Sequence, residues 1–150
     1  QATRARLVEA VHAADIIHLA AHGVYQADNP LESRILLSGD EDLGIPQVMG
    51  LKLNASLVTL SACESGVGRT NNGDEITGLN RALFFAGSKS VVSSLWRISD
   101  VASAILMKRF YRALARGEGR DQALRAAQVK VREYYPHPAY WAAFKYIGPF

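Results

Sequence analysis

The stretch Leu57-Val58-Thr59-Leu60-Ser61-Ala62-Cys63-Glu64-Ser65-Gly66 holds the only cysteine of the chain. It is an apolar, β-branched run that closes on a glycine, the pattern of a short buried strand opening into a loop. Upstream, Ile16-Ile17-His18-Leu19-Ala20-Ala21-His22-Gly23 has the same layout. Each run delivers one reactive side chain to its carboxyl end, where open α/β sheets place their chemistry. A thiol and an imidazole brought together there are the minimum apparatus for covalent acyl transfer.

Working outward, helix and strand patterns alternate. Leu7, Val8 and Val11 share one helical face within Thr3 to Ala14, which leads into a strand from Asp15 to Ala20. Arg34 to Leu37 is a short candidate strand, Ser38 to Asp42 a turn, and Ile45 to Gly50 a short helix with Pro46 in its first turn. Ser56 to Ser61 is the strand that leads to Cys63, and Gly66 to Gly73 is a glycine- and asparagine-rich loop. Asn72 and Glu75 have the spacing of a capping box for a helix carrying Ile76, Leu79, Leu83 and Phe84, which Gly87 stops. Ser90 to Leu95 is a third clear strand. Ser99 or Asp100 caps a long helix that ends at Gly117, and another helix runs from Asp121 to Tyr134, before Pro136. The aromatic tail with Tyr140, Trp141 and Phe144 is expected to pack against the sheet. The alternation predicts one α/β domain with a mostly parallel sheet flanked by helices. Three strands are narrow for that architecture and the chain opens inside a helix. Residues 1–150 are therefore read as the carboxyl-terminal portion of a domain whose amino-terminal part is missing.

With 150 residues, 49% of them hydrophobic, the chain is long enough for a real core. A lone cysteine cannot form an internal disulfide, which points away from an oxidised secreted scaffold and toward the cytoplasm. The net charge of +3 is spread along helical stretches and does not form the basic face of a nucleic-acid binder. No apolar run reaches the roughly 18 residues of a membrane span, so neither nucleic acid nor membrane is expected as a partner.

Cys63 has a bland rival reading as a small buried hydrophobe. Its place at a strand end, and the room left by Ala62, Ser65 and Gly66, favour a nucleophile. His22 can take the thiol proton and return it to a leaving amine. Gly23 N–H and Cys63 N–H can face an oxyanion, although a glycine there equally suits a tight turn. His18 lies mid-strand and reads as a satisfied core histidine; neither His12 nor His137 has a catalytic placement. Gly66-Val67-Gly68-Arg69 lacks the Lys-Ser/Thr of a phosphate loop, which argues against nucleotide hydrolysis.

The blocks His22-Gly23, Ser61-Ala62-Cys63-Glu64-Ser65-Gly66, Gly73-Asp74-Glu75, Ser94-Leu95-Trp96-Arg97-Ile98-Ser99-Asp100 and Pro138-Ala139-Tyr140-Trp141 together resemble the CHAT domain. CHAT domains belong to the caspase-like group of cysteine peptidases, with separases, gingipains and caspases as relatives. The resemblance implies a caspase-like sandwich, a catalytic His22–Cys63 dyad and an oxyanion hole at Gly23 and Cys63. It also implies that Asp100 binds a basic P1 side chain, as a similarly placed aspartate does in separases; helix capping is the rival reading. Asp74 and Glu75 suit a helix start and are weaker candidates for lining the substrate cleft. The implied activity is a cysteine endopeptidase acting on a protein or peptide substrate, with no metal and no organic cofactor. Family members are bacterial proteins in which the domain typically follows tetratricopeptide or other repeats, so a regulatory repeat domain in the same full-length chain is the expected partner. The alternative is a catalytically silent caspase-like binding or scaffolding module.

Overall fold

A computed structural model describes residues 3–24, 26, 29–64 and 74–149. Helix α1 (Arg4–Val11) leads into strand β1 (Ile16–Val24), and a 3-10 turn (Pro30–Glu32) precedes β2 (Arg34–Leu36) and β3 (Asp42–Gly44). Helix α2 (Ile45–Met49), β4 (Leu57–Glu64), α3 (Asp74–Phe85) and β5 (Val91–Ser94) follow. Helices α4 (Asp100–Ala115) and α5 (Arg120–Tyr134) precede a second 3-10 turn and the last strand, β6 (Phe144–Ile147).

The six strands lie in the order β3-β2-β1-β4-β5-β6. Only the inner three, β1, β4 and β5, run parallel to one another. β2 is antiparallel to β1, β3 to β2 and β6 to β5. The expected mostly parallel sheet is therefore corrected to a mixed one. The correction comes from short edge strands. A tight turn, with Gly39 at φ 75° and Asp40 at φ 61°, folds β3 back on β2, and only an antiparallel pair can be joined so tightly. Residue Asp42, assigned to a turn by its polarity, opens β3. Phe144 of the aromatic tail is not merely packed on the sheet but begins β6, where it pairs with Ser94.

Two helix ends match the expectation closely. Gly87 and Gly117 have φ of 111° and 85°, the left-handed conformation that glycine adopts without a Cβ penalty. After α3, Ser88 N–H reaches Leu83 O and Gly87 N–H reaches Phe84 O; after α4, Glu118 N–H reaches Ala113 O and Gly117 N–H reaches Leu114 O. Both are Schellman closures that satisfy otherwise orphaned carbonyls.

Helices cover both faces of the sheet. On one, Leu79, Ala82 and Leu83 of α3 and Val48 of α2 pack with Val58, Leu60 and Val91. On the other, Leu106 and Phe110 of α4 and Ala127 and Val131 of α5 pack with Leu57, Val92 and Phe144. Alternate residues of β4 and β5 thus feed opposite cores, as the period of two requires. Phe110 and Leu57 are fully buried, and each such side chain is worth about 1.5–3 kcal/mol in transfer from water. Among the described residues no helix is long and apolar enough to cross a membrane.

Candidate active site

β1 and β4 are parallel neighbours, in register from Ile16↔Leu57 through His18↔Thr59, Ala20↔Ser61 and His22↔Cys63 to Gly23↔Glu64. Adjacent strands lie ~4.8 Å apart, so the backbones of His22 and Cys63 stand side by side at the carboxyl end of the sheet. Neither residue ends its strand. β1 runs on to Val24 because Gly23 and Val24 pair with Ile35 and Arg34 of β2, and β4 runs on to Glu64. Gly23 is therefore a buried strand residue between two neighbours and not the glycine of a tight turn. The Cys63 side chain and the loop from Gly66 to Gly73, with the Asn72 end of the proposed capping box, lie outside the described residues.

A cavity of about 370 Å³ opens beside His22. His18, Ala20, Ala21 and His22 of β1 and Ser61 of β4 form one wall; Asp100, Ser103, Ala104 and Met107 of α4 form the other. The cavity exists because α4 lies over β4 and β5 but not over β1. Along β1, Ile16, His18, Ala20 and His22 are all exposed, whereas Ile17 is buried on the opposite side.

Asp100 is thus brought to the same cavity as His22. Ser99 occupies the N-cap position of α4 without a side-chain capping bond, and Asp100 is the first helical residue. Capping does not account for the Asp100 carboxylate. The loop before it is held by the tail: Leu95 N–H donates to Ala143 O at 2.7 Å and Trp96 Nε1–H to Ala139 O at 3.0 Å. Two motif blocks far apart in sequence are tied together where they set the start of α4.

Asp74 and Glu75 open α3, whose buried residues pack on the face of the sheet opposite α4. Their side chains lie outside the described residues.

His18 is not the satisfied core histidine that was expected: it is exposed, and one ring nitrogen has a partner among the described residues. Its Nδ1 lies 3.1 Å from Tyr111 Oη, and Tyr111 Oη donates to Thr59 Oγ1 at 2.8 Å. One side of the imidazole faces Tyr111, with ring centroids 5.6 Å apart, and the residue is open to the cavity. The enclosed side desolvates the ring and lowers its pKa from the ordinary 6.5, because burial penalises the imidazolium. Burial likewise raises the Tyr111 pKa, with the Thr59 hydrogen bond acting weakly in the opposite sense. Sequence reasoning missed Ser103, Met107 and Tyr111 as neighbours of the site. Their signal was present: Asp100, Ser103, Met107 and Tyr111 recur at helical spacing on one face of α4.

The other two histidines lie elsewhere. His12 Nδ1 donates to Lys52 O at 3.1 Å, and His137 Nδ1 accepts from Ala139 N–H at 3.2 Å. Among the described residues no group of three or more His, Cys, Asp or Glu side chains converges as metal ligands would.

A comparison with curated proteins finds no match. A family model for the CHAT domain matches residues 1–149. The chain is therefore a member of the CHAT domain family, within the caspase-like peptidase-related superfamily.

Proposed function

We propose that the protein is a cysteine endopeptidase that uses His22 and Cys63 as a dyad and cuts protein substrates after a basic residue. The observation that carries this reading is the His22↔Cys63 register on adjacent parallel strands, beside a cavity that also holds Asp100.

In this reading His22 takes the Cys63 thiol proton, and the thiolate sulfur bonds to the scissile carbonyl carbon. The carbonyl oxygen becomes an oxyanion, for which the family resemblance implies the backbone at Gly23 and Cys63 as the stabilising site. Collapse breaks the C–N bond, and His22 passes its proton to the departing amine. Water then attacks the thioester while His22 removes its proton; the C–S bond breaks and the carboxylate product leaves. Asp100 pairs with the cationic side chain of the residue before the cut through charge-assisted hydrogen bonds. Asp74 and Glu75, at the start of α3, are the weaker candidates to line the substrate cleft. A repeat domain in the same full-length chain is the proposed regulatory partner, and the cytoplasm the proposed compartment.

A panel of fluorogenic peptides varied at P1 tests the reading on the full-length protein. Cleavage after Arg or Lys is expected, abolished by Cys63→Ala and weakened at least tenfold by Asp100→Ala, the scale of a lost charge-assisted bond. A protein that cleaves nothing would be the silent binding module, and one whose cleavage survives Cys63→Ala does not use this dyad.

A further inference from the structure

The cavity beside His22 has a second polar group that the dyad does not use. His18 lies four residues before His22 on the same open face of β1, ~13 Å along the strand. Helix α4 runs alongside in the opposite sense, with Asp100 lining the cavity near its start and Tyr111, about three turns later, meeting His18. Asp100 thus marks the His22 end of the cavity and His18 the far end. Between them the cavity is lined by the small residues Ala20, Ser61, Ser103 and Ala104, with Met107 as the one large apolar side chain among the described lining residues.

The hydrogen bonds set which way His18 can act. Tyr111 has one hydroxyl proton and donates it to Thr59 Oγ1. Its oxygen therefore accepts from His18, whose Nδ1 carries the ring proton of a neutral imidazole. Nε2 is then a lone-pair acceptor, with no partner among the described residues. The partial burial that lowers the His18 pKa keeps the ring in that neutral form near pH 7.

We propose that His18 is a specificity-determining residue that makes the cavity prefer arginine over lysine, its Nε2 accepting a hydrogen bond from a guanidinium that enters past Asp100. The assignment of the guest as a P1 side chain rests on the peptidase reading. A single carboxylate is met by either cation. A second acceptor deeper in the cavity favours the longer side chain, whose planar fork spreads five N–H donors, over a compact ammonium. Tyr111 is the positioning residue that holds the imidazole.

The test uses agmatine and 1,5-diaminopentane, which carry the arginine and lysine head groups, equal charge and no peptide bond. Calorimetric titration of the full-length protein is expected to show agmatine binding roughly tenfold tighter, the scale of one hydrogen bond to a charged group. His18→Phe should erase that preference, and Tyr111→Phe, which keeps the packed ring, should reduce it. In parallel, the P1-Arg to P1-Lys ratio of kcat/KM should fall by a similar factor in His18→Phe. Equal binding of the two amines by the unaltered protein, or a preference that persists in both variants, overturns the proposal. An agmatine preference that His18→Phe removes supports the assignment even if no peptide is cut, and only the peptidase reading then fails. Cleavage after both residues without an agmatine preference leaves the peptidase standing and removes the role of His18.

Discussion

Strand β4 is buried on both faces from Leu57 to Leu60, whereas in its parallel partner β1 only Ile17 and Gly23 are buried and Ile16, His18, Ala20 and His22 are exposed. Their sequences are close in character and their backbones lie in register over eight pairs. What differs is the layer above them. Ala102, Leu106 and Phe110 of α4 close over Leu57 and Val92, whereas Ile16, Ala20 and His22 stay exposed and His18 meets the Tyr111 ring on one side only. The same kind of strand therefore serves stability at β4 and leaves an accessible polar face at β1. At one register level the contrast becomes chemical: Thr59 on β4 is fully buried and accepts from Tyr111, and His18 on β1 shares that tyrosine while facing the cavity.

The largest effect that sharpens this contrast is on stability. Leu57 is 0% exposed and its register partner Ile16 is 46% exposed. Leu57→Ala should cost about 2–5 kcal/mol, as cavity-forming core truncations do. Ile16→Ala should cost under about 1 kcal/mol, the range of surface changes. Equal losses in urea melts would break the distinction between the two strands.

A smaller effect concerns pH. His18 has a lowered pKa because the folded state disfavours its charged form, so the unfolded chain binds the proton more readily. Its contribution leaves stability undiminished above pH 6.5 and erodes it as the pH falls below that value. The loss of Tm between pH 8 and pH 5 should accordingly be smaller in His18→Phe than in the unaltered protein. An unchanged difference would mean that Tyr111 and Thr59 do not enclose the ring.

Much of the fold was legible where the signal is local. The helices α4 and α5 follow from their apolar periodicity, and their neighbours from glycines at Gly87 and Gly117 that need positive φ. β3 and β6 were not legible, because strands of three or four residues carry too little alternation and owe their existence to pairing partners elsewhere. That is why a mostly parallel sheet was expected and a mixed one found. At the site, the residues were readable and their arrangement was not. His22 and Cys63 stood out as reactive groups near two strand ends, but only the pairing of β1 with β4 sets them at one level. The contact of Tyr111 with His18 spans 93 residues of sequence; helical spacing puts Tyr111 on the Asp100 face of α4, but only the fold sets which strand that face meets.

The proposed activation of Cys63 by His22 is read from the pH dependence of Cys63 alkylation. In the unaltered protein, iodoacetamide should react fast below pH 7, and His22→Ala should remove that advantage. A rate that rises only around the free-thiol pKa of about 8.5, identical in His22→Ala, would contradict the dyad.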